Sequence, residues 1–262
     1  FLGQKTYEAF LYINGSLGVF LLGVAISTFF SGSEFLVDSN NFSHWQSPFR
    51  GLEALANPFN YLLGFALVFL AKISGALYII NAVDDAQIRE NAIKSIKTNM
   101  IFFLVSFLGF LAWIFTKDGF AVDANGAIFM QEYKYFLNFL EMPILLGMFL
   151  LGVVMVVLAV FFTVVYKKTT CIKTAGVGIV LTVTALLVSV GFNNTAYYPS
   201  TYDLQSSITI MNSSGSHYTL TVMSYVSLMV PFVLAYIAYA WYSMDRVKIT
   251  KEEMEAPDSH NY

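Results

Sequence analysis

The stretch NPFNYLLGFALVFLAKISGALYIINAV, Asn57–Val83, holds one charged side chain, Lys72, among apolar and small residues. Its apolar part, 59–83, is continuous and does not alternate at period two. It is also long enough to cross a bilayer as a helix, which takes about 20 apolar residues. Asn57 followed by Pro58 reads as an N-cap with proline at the first helical position.

Five more runs share this character, and the six together lie at about 7–30, 59–83, 97–117, 140–166, 172–193 and 219–243. The expected fold is all-α: an integral membrane helical bundle with six transmembrane helices over 1–250 and a polar tail over 251–262. Pro143, after Glu141, is expected to start a helix as Pro58 does. Pro231 is expected to kink the last span. Asp84–Lys97 reads as a helical extension capped by Asp84 or Asp85. The first run contains Asn14 and Ser16 and follows Glu8, which suits a spanning helix and not a signal-peptide core.

Composition agrees with this reading. Hydrophobic types make up 57% of the 262 residues and charged types 12%, about half the share that coats a soluble domain. A net charge of −3 without a basic block speaks against nucleic-acid binding. Cys171 is the single cysteine, so neither an internal disulfide nor a cysteine metal cluster can form.

The basic residues orient the chain. Lys5, Arg89, Lys94, Lys97, Lys167, Lys168, Lys173, Arg246, Lys248 and Lys251 fall on one side, and Arg50, Lys117 and Lys134 on the other. The positive-inside rule makes the first side cytoplasmic, together with both termini and the tail. The longer loops 31–56, 118–139 and 194–218 then face outward and carry Trp45, Tyr197, Tyr198, Tyr202 and Tyr218 as interfacial aromatics.

Within the spans three polar residues stand out: Lys72, Asn14 and Glu141. A helix over 59–83 is about 37 Å long and places Lys72 about 17 Å from its inner end. A lysine at a helix centre costs about 2.5–3.5 kcal/mol on insertion scales. That cost favours an interior position facing a partner or a water-filled pocket. Gly75 and Ala76 share its helical face and would allow close helix approach. Lys72 is either a structural cation held by carbonyls or a partner's acid, or a residue on a proton or quinone route. Asn14 reads as a structural hydrogen-bonding group, and Glu141 sits at the outer end of its helix. No catalytic, cofactor-ligating or metal-ligating residue is assigned. His44, His217 and His260 lie outside the spans, and haem held within a bundle needs His, Met or Cys on facing helices.

The C-terminal third, Tyr197–Tyr242, resembles subunit II of cytochrome bd-type quinol oxidases. The resemblance rests on Pro199 and Ser200, on Ser207-Ile208-Thr209, on Ser213, Ser214, Thr219, Leu220 and Met223, and on Pro231 with Tyr236. Asn57–Phe65, Ser74–Tyr78 and ITKEEM at Ile249–Met254 look like the family too. Met244-Asp245-Arg246 departs from it, since a glycine often precedes the basic residue there. Members typically have about three further helices ahead of the part resembled, so the resemblance implies an N-terminally incomplete chain. Two family motifs of that part, Asp-Gly-Phe-Asp-like and Trp-Asp-Gly-Asn-like, do not occur here, and no family functional residue transfers to a position of this chain.

The resemblance implies a haem-free subunit of a terminal oxidase in the bacterial inner membrane. Such a complex oxidises quinol and reduces oxygen to water. Its b-type and d-type haems belong to the partner, subunit I, and it leaves room for a small accessory subunit. A small secondary transporter or channel subunit is the alternative, with Lys72 facing a substrate cavity. Transporters often carry inverted repeats and broken helices. No repeat is visible here, and Pro231 is the one interruption.

Overall fold

The computed structural model describes residues 3–246. Residues 247–262, with Lys248 and the tail 251–262 that holds Lys251 and His260, lie outside the described residues. The helices in chain order are α1 (Gln4–Ser31), α2 (Pro58–Ala82), α3 (Ala86–Thr116), α4 (Lys134–Glu141), α5 (Pro143–Tyr166), α6 (Cys171–Gly191), α7 (Ile210–Ser213), α8 (His217–Ser227) and α9 (Val230–Asp245). Six segments are long and apolar enough to cross a membrane: α1, α2, α3, α5, α6 and the α8–α9 pair. The protein is a multi-pass helical membrane protein.

Local chemistry sets the helix ends. Asn57 Oδ1 accepts from Phe59 N at 3.0 Å and Pro58 follows as the first residue of α2. Asp85 Oδ1 accepts from Ile88 N at 2.8 Å, so α3 starts at Ala86, well before its apolar run. The run at 140–166 is divided. Met142 stands between α4 and α5, because Pro143 has no N–H to continue the helix behind it. The last span is divided too. Leu228 N and Met229 N turn back to the carbonyls three residues earlier, at 3.2 and 2.9 Å, and Pro231 sits in the first turn of α9.

The spans run alternately between two ends of the molecule. One end has the short turns 83–85 and 167–170. The other carries the long connections, and here the chain adds two small antiparallel hairpins that the all-helical expectation did not contain. β1 (Phe35–Val37) pairs with β2 (Ser43–Trp45), and β3 (Gly119–Val122) pairs with β4 (Ile128–Gln131). Asp123 Oδ1 accepts from Asn125 N and Ala127 N to close the second turn, where Gly126 has φ +84°. The segment after α6 laces these connections together. Ala196 N donates to Phe120 O, Val122 N to Asn194 O and Ser33 N to Pro199 O, at 2.9, 2.9 and 3.1 Å.

Glycine sets the closest helix approaches. A Cβ on Gly23 of α1 would lie 2.7 Å from Gly64 Cα of α2. A Cβ on Gly152 of α5 would lie 2.7 Å from Gly178 O of α6. Between α2 and α3 the packing is aromatic: Phe59 meets Trp113 at 4.7 Å and Phe69 stacks on Phe102 at 5.2 Å. A core of Ile73, Leu77, Ile80, Phe107, Phe149 and Ala185 joins α2, α3, α5 and α6. The described side chains of α8–α9 are almost all exposed, and Trp241 meets Tyr78 of α2 at 6.3 Å.

Candidate functional site

Lys72 lies on the face of α2 that turns toward α1 and the first third of α3. Its Nζ donates to Tyr12 Oη at 2.5 Å and stands 4.8 Å from the Tyr12 ring centroid and 6.0 Å from that of Phe69. No carboxylate among the described residues lies within 4.0 Å of it. The stacked pair Phe69–Phe102 fixes the level: in the antiparallel α2–α3 pair, Lys72 stands opposite Asn99, where the apolar run of α3 begins.

A cleft of about 740 Å³ opens from Lys72 toward the short-turn end, lined by Tyr12, Gly75, Asn91, Ser95 and Asn99. Asn91, Ser95 and Asn99 recur every four residues and so share one face of α3. A polar route thus reaches the lysine that a helix in isolation would leave in hydrocarbon. The expected close helix approach at Gly75 does not occur, since a Cβ there would meet nothing within 4 Å. Ala76 does pack into the core. The sequence singled out Lys72 but not Tyr12 or the Asn91–Ser95–Asn99 row. The four-residue spacing of that row was the available signal.

Asn14 and Glu141 are not brought to Lys72. Asn14 is exposed on α1 and forms no side-chain hydrogen bond among the described residues. Glu141 ends α4 at the hairpin end, where Asn193 Nδ2 donates to its Oε2 at 2.5 Å and to Asn138 Oδ1 at 2.9 Å. Asn138, fully buried, donates to Ser189 O and Thr195 Oγ1 at 2.7 and 2.8 Å. Lys134 Nζ donates to Asn193 O at 2.9 Å. Burial lowers the Lys134 pKa, partly offset by the charge of Glu141. Lys134, Asn138 and Glu141 share one face of α4, so this network fastens α4 to the end of α6.

A third polar group lies nearby. Lys117, just past α3, donates to Phe30 O at 2.9 Å and sits 5.7 Å from the Phe59 ring and 5.8 Å from the Phe120 ring. The buried Tyr135 donates to the same carbonyl at 3.3 Å. Burial pulls the Lys117 pKa down to about 8 against the opposing charge of Asp118, and burial pushes the Tyr135 phenol up.

Between α2, α3, α5 and α6 lies an apolar cavity of about 140 Å³ walled by residues such as Ala66, Phe107, Phe149, Val156 and Leu186. None of its lining residues is His, Cys or Met, the side chains that hold haem iron within a bundle. Among the described residues no group of three or more His, Cys, Asp and Glu could hold a metal ion. The walls of this cavity therefore do not fit a haem.

The sequence model of the family described as cytochrome bd terminal oxidase subunit II matches residues 2–244. Cytochrome bd-I ubiquinol oxidase subunit 2 of Escherichia coli K12 is 26% identical over 260 residues, covering 94% of this chain and 66% of that protein. A probable cytochrome oxidase subunit 2 of Haemophilus influenzae is 24% identical over 256 residues, covering 93% and 65%. The chain thus spans just under two thirds of the length of these curated relatives.

Proposed function

This chain belongs to the cytochrome bd terminal oxidase subunit II family, and from that membership we propose that it is the haem-free subunit of a quinol-oxidising, oxygen-reducing complex. The observation that carries this reading is the family match over residues 2–244. The proposed partner is subunit I, which holds the b-type and d-type haems and the quinol site; a small accessory subunit completes the assembly in some versions of it.

On this reading the complex sits in the bacterial inner membrane and takes the protons for water from the cytoplasm. Two quinols are oxidised to two quinones, releasing four protons on the outer side, and their four electrons with four cytoplasmic protons reduce one oxygen to two waters. The short-turn end is cytoplasmic, since the 167–170 turn carries Lys167 and Lys168 and the adjoining first parts of α3 and α6 carry Arg89, Lys94, Lys97 and Lys173. Lys72 and its cleft open to that side. Their role is first that of a structural cation and second that of a group on a proton route.

The test is an optical spectrum of the complex that copurifies with the tagged full-length protein. Reduced-minus-oxidised bands of b- and d-type haem, together with quinol-dependent oxygen uptake, are the expected result. A purified membrane protein with no haem-bearing partner would sink the reading and turn attention to Lys72 as a transport-site residue.

A further inference from the structure

We propose that the cleft around Lys72 binds one phospholipid, its phosphate on Lys72 and Tyr12 and an acyl chain along the furrow between α1 and α2. This requires only that the chain sits in a bilayer and stands apart from the oxidase reading.

Two cavities meet at Lys72 and Tyr12. The more polar one, of about 740 Å³, extends along Gly75, Asn91, Ser95 and Asn99, with Ile79, Ile88 and Ala92 also in its walls, toward the short-turn end. The other, of about 280 Å³, runs in the opposite direction along Leu11, Gly15, Val19, Val68 and Ala71. Polar space lies toward the membrane surface and apolar space toward its middle, the order of headgroup and chain in one leaflet.

The chemistry at the junction selects an anion. The Lys72 ammonium has no carboxylate among the described residues within 4.0 Å. It spends one N–H on Tyr12, which leaves two to donate. Tyr12, having accepted from Lys72, has its own hydrogen to give. Two basic residues of α3 nearer the short-turn end are already paired, Arg89 with Asp84 at 3.1 Å and Lys94 with Glu90 at 2.9 Å. A phosphate supplies several strong acceptors and the missing negative charge. A neutral quinone ring would leave the ammonium uncompensated. Access is open, because nothing stands within 4 Å of a Cβ on Gly75.

The experiment is native mass spectrometry of the intact full-length complex after delipidation, titrated with phosphatidylglycerol or with a diacylglycerol of the same chains. Wild type is expected to bind one phosphatidylglycerol and to show at least tenfold weaker binding of diacylglycerol. Lys72→Met and Gly75→Leu are each expected to reduce phosphatidylglycerol binding at least tenfold, and Lys72→Arg to keep it. Gly75→Leu places its side chain in open space, so it tests the site even if Lys72→Met disturbs assembly. Equal binding by wild type and Gly75→Leu overturns the proposal. So does equal binding of the two lipids, or a quinone retained in the cleft, or a cross-link from residue 75 to another protein segment that fills the cleft. Undiminished lipid binding in the presence of excess inorganic phosphate is expected. Displacement by it would assign the site to free anions and overturn the lipid.

Discussion

At the scale of single residues the hairpin end holds the most perturbed cation. The unfolded chain binds the Lys117 proton more tightly than the folded one, because burial lowers the folded pKa to about 8. Raising pH from about 8 into the usual lysine range therefore releases the proton from the folded state first, and folded stability rises across that window. Lys117→Met removes the charge while Tyr135 still satisfies the Phe30 carbonyl. The variant should melt above wild type at pH 7, and the gap should narrow as pH approaches 10. Thermal melts of the two purified proteins at matched pH check this, and a gap independent of pH would refute it. Lys72 was legible in the sequence, as one charge in a long apolar run is conspicuous. Asn138 and Asn193 were not, because their bond joins residues 55 apart and nothing local marks either as the other's partner. Tyr12 was hidden for the same reason, one aromatic among many until α2 set Lys72 beside it.

At the scale of elements, composition revealed the spans but not how they touch. Gly75 and Ala76 looked like a close crossing, yet the tight crossings use Gly23 with Gly64 and Gly152 with Gly178. All of these glycines sit in apolar runs, and only the register of one helix on another decides which meets a neighbour. Gly152→Ala should destabilise the α5–α6 pair by about 1–3 kcal/mol, the usual cost of overpacking, because its Cβ would sit 2.5 Å from Thr182 Oγ1. Gly75→Ala should leave the melting temperature unlowered. Parallel melts of both variants decide it, and equal losses would disprove the assigned crossing. Prolines were read more directly. Pro143 and Pro231 each lie at the start of a helix segment, as a residue without an N–H must. The hairpins were missed because three- and four-residue strands are too short to show a period.

At the scale of the whole molecule, the number of spans follows from apolar length and the proposed sidedness from charge. The arrangement in space follows from neither. α8–α9 presents nearly its whole described circumference to the surroundings, which its sequence does not distinguish from a packed helix. Sidedness has a direct check. A cysteine replacing Asn125, at the tip of the β3–β4 hairpin, should react with an impermeant thiol reagent added outside intact cells. One replacing Thr169, in the α5–α6 turn, should react only after the membrane is opened. The native Cys171 is buried. The reverse pattern would invert the assigned topology.

The shared carbonyl of Phe30 also has a consequence in time. It lies at the end of α1, where a helix leaves its last carbonyls without intrahelical donors. Its two donors, Lys117 and Tyr135, follow 87 and 105 residues later. A ribosome adding about 5–20 residues per second needs roughly 5–20 s to make the longer of these intervals. For that period α1 has been synthesised but its end is unfastened, and the step that secures it is the emergence of the α3–α4 connection. The end of α1 is thus locked only after α2 and α3 have been made, and a pause in translation between residues 31 and 135 prolongs the interval in which it can still shift.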